Sequence, residues 1–126
     1  MTAPARKSIV VFGNHHAALE RVGEALEQGG YMVVPCDDAA RAHAVVRASM
    51  PDLVMLDSRG AGLTTWRASA MLKLDARTAA IPVLLCLADG PDAAGLTARA
   101  EETGCSILRE PFEPTDLLAR IRDLLG

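Results

Sequence analysis

The sequence predicts an α/β fold in which a doubly wound, five-stranded parallel sheet is covered by helices on both faces. Short apolar runs alternate with helical stretches five times along the 126 residues, and this alternation is typical of parallel sheets built from βαβ units. The apolar runs are continuous, which indicates strands that are buried on both faces. We therefore expect a single domain spanning residues 1–126, with its core at about 7–125.

In the first half of the chain, glycine, proline and aspartate delimit the predicted elements. The apolar run at 9–12 is a strand that ends before Gly13, and Gly29 stops the helix that follows it. Asp37 or Asp38 can cap the second helix, which ends before Pro51. The elements are a strand at 9–12, a helix at His16–Gln28, a strand at 31–35, a helix with Ala42, Val45, Val46 and Ser49 inward, and a strand at 53–56 that ends at Asp57.

The second half continues the alternation. A glycine-rich loop at 58–62 precedes a helix at 63–75, and a strand at 82–87 precedes an alanine-rich helix at 91–103. A short strand at Ser106–Arg109 then leads to a last helix that starts at Pro114. The inner stripe of the third helix is assigned to Leu63, Trp66 or Arg67, Ala70 and Leu74. The inner face of the last helix is assigned to Leu117, Leu118, Ile121, Leu124 and Leu125.

Composition excludes several classes of function. The net charge of −3 without a basic stripe argues against nucleic acid or an anionic membrane as the main partner. Aromatic residues make up 3%, too few for a base-stacking surface, and no apolar run approaches the roughly 20 residues of a membrane span. Cys36, Cys86 and Cys105 lack the spacing of zinc ligands, so we expect reduced thiols and no bound metal in a cytoplasmic protein.

The predicted strand ends define the candidate site. In open parallel sheets, ligands bind beyond the carboxyl ends of the strands. The residues at those ends, or directly after them, are Gly13, Asn14, Asp57, Leu87, Ala88 and Glu110.

Four segments resemble the receiver domains of bacterial response regulators, and the resemblance covers nearly the whole chain. Residues 51–57 (PDLVMLD) resemble the third strand of the family with its phosphoacceptor aspartate. Residues 81–83 (IPV) resemble the entry to its fourth strand, 110–112 (EPF) its Lys-Pro-Phe, and 114–122 its final helix. The resemblance implies a flavodoxin-like sheet with strand order 2-1-3-4-5 and a role in two-component or phosphorelay signal transduction.

The resemblance also assigns the site position by position. In the family an acidic pair binds Mg²⁺, an aspartate accepts the phosphoryl group, and a hydroxyl residue and a lysine bind its oxygens. Asp57 stands at the phosphoacceptor position, but the acidic pair falls on Gly13 and Asn14. The hydroxyl position falls on Leu87 and the lysine position on Glu110. Because Mg²⁺ usually takes one or two carboxylates along with further oxygens, we expect weak or no Mg²⁺ binding and no other cofactor.

Glu110 reverses the charge of the lysine position. Two carboxylates about 4 Å apart repel by about 4 kcal/mol at an effective dielectric constant near 20, and a phosphorylated Asp57 would be repelled more. Phosphoryl transfer depends on positioning and on the neutralisation of negative charge by metal ions and cations. We interpret the chain as a pseudo-receiver, with Asp57 as a vestigial phosphoacceptor and no catalytic residue. It acts by protein–protein interaction rather than as an enzyme.

Several alternatives stay open. Arg109 should point to the opposite side of its strand, although it could replace the missing lysine, and a cis Glu110-Pro111 bond would alter this geometry. Ile107 stands in place of the aromatic switch residue of the family. One alternative function is phosphorylation of Asp57 by a dedicated histidine kinase. Another is control by a small molecule or a proton, sensed through His15 or through the pair of carboxylates.

The resemblance also suggests partners. In the family, the face formed by the fourth helix, fifth strand and fifth helix commonly binds partners or a second copy. An ionic rim could form there from Glu101, Glu102, Asp116, Arg120, Arg122 and Asp123. We expect a signalling partner (a histidine kinase, another regulator or an output protein), with a homodimer through this face as an alternative. The chain suits either a stand-alone receiver or a domain of a longer protein.

Overall fold

The computed structural model describes residues 6–13, 16–36, 38, 41–57, 62–88, 90 and 93–125, with the side chains of 16–19 and 62–65 excepted. Five parallel strands form one sheet in the order β2-β1-β3-β4-β5, which confirms the predicted fold class. The strands are β1 (Ser8–Phe12), β2 (Met32–Cys36), β3 (Leu53–Asp57), β4 (Val83–Leu87) and β5 (Ser106–Arg109). The helices are α1 (His16–Gln28), α2 (Ala42–Ser49), α3 (Gly62–Leu74), α4 (Ala93–Thr103) and α5 (Pro114–Leu125).

The helices pack on the sheet in two layers. One buried cluster joins side chains of β1, β3, β4 and β5 to α1 and α5, with Ile9, Leu26 and Leu117 among its members. The other joins the opposite faces of β1, β3 and β4 to α2, α3 and α4, with Val46 and Leu72 as members. Strands β3 and β4 are therefore buried on both faces, which is the reason that their sequences are continuously apolar.

Helix α5 follows its predicted pattern closely. Leu117 and Ile121 are fully buried, and Leu118, Leu124 and Leu125 pack partly buried against the same cluster. Gly29, just past the end of α1, lies against this helix: an added Cβ atom there would be 2.6 Å from the Cδ2 atom of Leu118. The absence of a side chain after α1 thus allows the close approach of α5.

The predicted inner stripe of α3 is wrong. Leu74 is 86% exposed and Arg67 is exposed, whereas Trp66 and Ala70 are only partly buried. The side chain of Leu63 lies outside the described residues. Apolar and small residues occur around the whole circumference of α3, so their spacing does not single out one face. The face that contacts the sheet and the neighbouring helices instead buries Ala68, Ser69 and Leu72.

The predicted start of α2 also needs correction. Its N-cap residue is Arg41, whose side chain makes no capping hydrogen bond. The Arg41 N–H donates to the carbonyl oxygen of Asp38 at 3.1 Å, and Asp38 takes part in a further interaction. Asp37 lies outside the described residues. Ser49 is exposed rather than inward, and its hydroxyl donates to the carbonyl oxygen of Val45 one turn earlier.

The outer edge of β2 has a proline at a position that limits further strand pairing. The carbonyl oxygen of Cys36 accepts a hydrogen bond from the Gly13 N–H. The Met32 N–H donates to the carbonyl oxygen of Lys7, directly before β1, so both residues bond on the β1 side. Because alternate residues of a strand bond to the same neighbour, the nitrogen of Pro35 faces the free edge. Proline has no N–H to offer there, which protects the edge.

The cysteines and the lengths of the helices agree with what the composition predicts. Cys36, Cys86 and Cys105 are not joined by disulfide bonds, in agreement with the predicted thiols. In the part of the chain that the structure describes, every helix is too short or too polar to span a bilayer.

Candidate functional site

The carboxyl ends of β1 and β3 place two candidate residues side by side. Phe12 pairs with Leu56 in the parallel register, so Gly13 and Asp57 follow at the same edge of the sheet. Gly13 is buried, and its N–H donates to the carbonyl oxygen of Cys36 at 3.1 Å. The first of the two positions that match the acidic pair of the family thus offers a backbone and no side-chain oxygen.

The ends of β4 and β5 complete the same edge. Asp57 pairs with Cys86, and Leu87 pairs with Arg109. The Glu110 N–H donates to the carbonyl oxygen of Leu87 at 2.8 Å, which places Glu110 directly beyond β5. The backbones of Asp57 and Glu110 are therefore separated by one intervening strand, or about 10 Å for two strand spacings.

The side chains at this edge differ in polarity. Asp57 and Glu110 are half-buried, and each takes part in polar interactions. Leu87 is 2% exposed and belongs to the hydrophobic core, although it stands where the family has a hydroxyl group. The half-buried Ala88 follows it. Asn14 and His15 lie outside the described residues, so the predicted roles of these two residues stay predictions.

The described residues do not fit a magnesium site of the family type. Within the described ranges, no group of three or more His, Cys, Asp or Glu side chains is placed to hold a metal ion. At the edge itself, Gly13 has no donor side chain and Asp57 is the one carboxylate on β3. Mg²⁺ requires octahedral oxygen ligands, and the described side chains at this edge supply too few of them.

Two arginine contacts connect α4, β5 and α5. Arg109 is exposed, and its Nη2 atom donates to Oγ1 of Thr97 on α4 at 3.3 Å. The partly buried Ile107 packs against the core, and its carbonyl oxygen accepts a hydrogen bond from Nη1 of Arg120 at 2.6 Å. The peptide bond between Glu110 and Pro111 is cis. Because it donates to Thr97, the guanidinium of Arg109 is directed to α4.

Five of the six residues predicted to form an ionic rim on this face are exposed, and Arg120 is not. Arg120 is partly buried and binds the backbone of β5. The other five charged residues are exposed, and these are Glu101, Glu102, Asp116, Arg122 and Asp123.

A polar cluster between α2 and the end of α3 was not predicted. Oδ2 of Asp75 lies 2.8 Å from Nε2 of His43 and 3.5 Å from Nε of Arg47, and Oδ1 accepts the Arg77 N–H at 2.9 Å. The hydrogen bond from Arg77 and then that with His43 hold the pKa of Asp75 below its ordinary value, against a smaller opposing effect of desolvation. His43 and Asp75 are 32 residues apart, so no local sequence signal could have paired them.

A second unpredicted contact lies between α3 and α4. The guanidinium carbon of Arg99 is 4.7 Å from the centroid of the Trp66 ring, which is within the range of a cation–π interaction. The indole Nε1–H of Trp66 is buried, and it has no hydrogen-bond partner among the described residues. Sequence analysis had treated Trp66 only as a candidate core residue.

Sequence comparison finds relatives among transcriptional regulators. The chain is 30% identical over 122 residues to the phosphate regulon transcriptional regulatory protein PhoB of Pseudomonas aeruginosa, covering 94% of this chain and 52% of the relative. It is 32% identical over 120 residues to the DNA-binding dual master transcriptional regulator RpaA of Synechocystis, covering 93% and 48%. The chain therefore spans about half the length of these relatives. No protein-family model matches it.

Structural comparison agrees with the sequence relationship. A response regulator receiver domain protein from Clostridium thermocellum superposes with a TM-score of 0.83 at 19% identity, covering 94% of each chain. The fold and the aspartate at the end of β3 define the class as a receiver-like α/β domain. Together with the sequence relatives, they make the chain a member of the response regulator receiver domains of two-component signalling.

Proposed function

We propose that this receiver domain regulates a signalling partner through protein–protein contact and without phosphorylation of Asp57. The observation that carries the proposal is the side-chain content of the carboxyl edge. There Asp57 has Gly13 beside it on β1, while Leu87 and Glu110 occupy the positions at which the family places a hydroxyl and a lysine. The lysine and the hydroxyl group that would stabilise a transferred phosphoryl group are replaced by a carboxylate and an apolar side chain.

Arg109 does not favour the alternative in which it replaces the lysine. Its guanidinium donates to Thr97 on α4, and a reorientation toward Asp57 would give up this contact. Leu87 is packed in the core and has no group with which to bind a phosphoryl oxygen. The proposal therefore includes no Mg²⁺ requirement and no other cofactor.

The proposed mechanism relies on the intact scaffold. Both buried clusters are complete around the sheet, so the domain can present helices and loops to a partner in a fixed arrangement. Receiver domains interact with histidine kinases and output domains, and we place the partner of this chain in those classes. Neither homodimer formation nor binding to nucleic acid is required.

The direct test is incubation with acetyl phosphate and Mg²⁺, followed by intact mass measurement of the protein and of the Asp57→Asn variant. We expect neither protein to gain mass. A phosphoryl-sized gain in the wild type that is missing from Asp57→Asn would overturn the proposal and favour phosphorylation by a dedicated kinase.

A second readout uses the tryptophan of α3. Beryllofluoride added with Mg²⁺ should leave the fluorescence of Trp66 unchanged, because the described edge offers few ligands for it. The matched control is the Glu110→Lys variant, which restores the cation of the family pattern at one position. A saturable change in the Trp66 fluorescence of the wild type on addition of beryllofluoride and Mg²⁺ would contradict the proposal.

A further inference from the structure

An exposed row of side chains runs along the outer face of α3. Arg67, Met71 and Leu74 are spaced i, i+4 and i+7, so they lie on one side of the helix. Met71 is 50% exposed and Leu74 is 86% exposed, and Arg67 is exposed as well. We call these three residues the α3 stripe. Exposed apolar side chains that are grouped rather than scattered mark candidate interaction sites.

The contacts of α3 with its neighbours show that the α3 stripe faces outward between two helices. On one flank, Asp75 at the end of α3 is bound by His43 of α2. On the other flank, Trp66 lies under Arg99 of α4. Both flanks are thus closed by side-chain contacts, and the face between them presents its apolar groups to solvent.

Among the described residues, three exposed cations lie on α3, just beyond its end and on the neighbouring α2. Arg67 lies within the α3 stripe, Arg77 is exposed just beyond α3, and Arg47 is exposed on α2. Over the described residues, neither Arg67 nor Arg77 has a carboxylate within ion-pair distance of its guanidinium. The nearest carboxylate along the helix is Asp75, which His43, Arg47 and the Arg77 N–H already contact.

We propose that the α3 stripe binds an acidic amphipathic helix of a partner protein. The apolar face of that helix would cover Met71 and Leu74, and its flanking carboxylates would meet Arg67 and Arg77. An amphipathic helix that places its apolar side chains on such a surface is a recurrent mode of recognition. This inference gives a surface and a partner chemistry to the proposed function, and it rests on that function in requiring a protein partner.

Two other occupants fit the surface less well. Two copies of the chain that met symmetrically through the α3 stripe would bring Arg67 of each toward Arg77 of the other, which is repulsive. An anionic membrane would meet the same cations, but the chain carries a net charge of −3, and Glu101 and Glu102 are exposed on the neighbouring α4. A helix can avoid these carboxylates because its contact area is narrow.

The test is a fluorescence anisotropy titration of the full chain with a labelled synthetic helix that has leucine on one face and glutamate elsewhere. We expect saturable binding that weakens as salt is added, since ion pairs at an exposed rim are screened. The double variant Met71→Gln/Leu74→Gln should bind at least about tenfold more weakly, because each lost contact removes buried apolar surface. Arg67→Glu should weaken binding and reduce its dependence on salt.

The matched control substitutes exposed apolar residues elsewhere on the molecule. Met32 and Val34 on β2 are 52% and 36% exposed, so Met32→Gln/Val34→Gln removes similar side chains and should leave peptide affinity unchanged. Control peptides carry lysine in place of glutamate, or the same residues with leucine spread around the helix, and both should bind weakly. Circular dichroism establishes that each variant is folded.

Four results would overturn the inference. They are the absence of saturable binding, equal binding of the lysine peptide, equal weakening by the β2 control variant, and preferential binding to vesicles that contain phosphatidylglycerol. Self-association that Leu74→Gln abolishes would assign the surface to a second copy instead. Titration of the wild type before and after treatment with acetyl phosphate and Mg²⁺ separates this inference from the proposed function, since phosphorylation of Asp57 with unchanged peptide binding would contradict only the latter.

Discussion

The two faces of the sheet are closed in different ways. On the face covered by α1 and α5, the helices are clearly amphipathic, and Leu26, Leu117 and Ile121 are at most 1% exposed. On the face covered by α2, α3 and α4, α2 has only eight residues, and Leu74 of α3 is 86% exposed. Polar contacts then join the helices of this second face, such as that of His43 with Asp75.

The difference shows where stability and recognition are concentrated. The α1/α5 face buries its apolar side chains and leaves a mainly charged exterior, so its packing accounts for its sequence. The α2/α3/α4 face keeps Met71 and Leu74 in solvent, and the buried Nε1–H of Trp66 has no acceptor in the part of the chain that the structure describes. Features that do not contribute to folding are more readily explained by binding.

The largest expected effect compares one substitution on the two faces. Leu117→Ala on α5 should lower the free energy of unfolding by about 2–5 kcal/mol, since it leaves a cavity in a packed core. Leu74→Ala on α3 should change it by less than about 0.5 kcal/mol. Urea unfolding followed by circular dichroism measures both values. Equal losses at the two positions would mean that the faces do not differ in this way.

A smaller effect concerns the polar cluster between α2 and α3. The Arg77 N–H and His43 hold the pKa of Asp75 below its ordinary value of 3.8, so its ionised form stabilises the folded state. That contribution is fully present above 3.8 and is lost as the pH falls through the folded-state pKa. Asp75→Asn should therefore be less stable than the wild type at neutral pH, and the two should converge in acid.

Urea unfolding at neutral pH and at about pH 3 checks this convergence. Asp123→Asn is the matched control, because Asp123 is exposed on α5, on the other face of the sheet. A gap between Asp75→Asn and the wild type that stayed constant with pH would show that charge is not the cause.

The smallest expected effect concerns the contact between α3 and α4. Arg99→Ala should lower the free energy of unfolding by about 0.5–1 kcal/mol, the range of an exposed cation–π interaction. The emission of Trp66 should change with it, because the guanidinium lies over the ring. Arg122→Ala on α5 should alter neither quantity. Unchanged emission in Arg99→Ala would show that Arg99 does not lie over the Trp66 ring in solution.

Much of the fold could be predicted from local sequence patterns. The bounds of α1 and β5 agree with prediction, and α5 starts at Pro114 as predicted. These elements have clear signals: a double glycine after α1, and regularly spaced leucines in α5. The inner face of α3 was predicted wrongly, because several faces of α3 are equally apolar. The N-cap residue of α2 is Arg41 rather than Asp38, and Asp37 lies outside the described residues.

The candidate site was predictable in its positions and less so in its contacts. Gly13, Asp57, Leu87 and Glu110 do lie at one edge of the sheet, because the carboxyl ends of parallel strands share an edge. The contact of Arg109 with Thr97 depends on how α4 sits beside β5. No spacing along the chain encodes that placement.

The sequence by itself determined the order of elements, the parallel sheet and the residues that occupy the family's site positions. Each follows from periodicity or from a short segment read in order. Tertiary structure alone decided which face of α3 is exposed, that Asp75 meets His43 across 32 residues, and that Arg99 covers Trp66. Such contacts join residues distant in sequence, and their geometry arises only when the helices pack on the sheet.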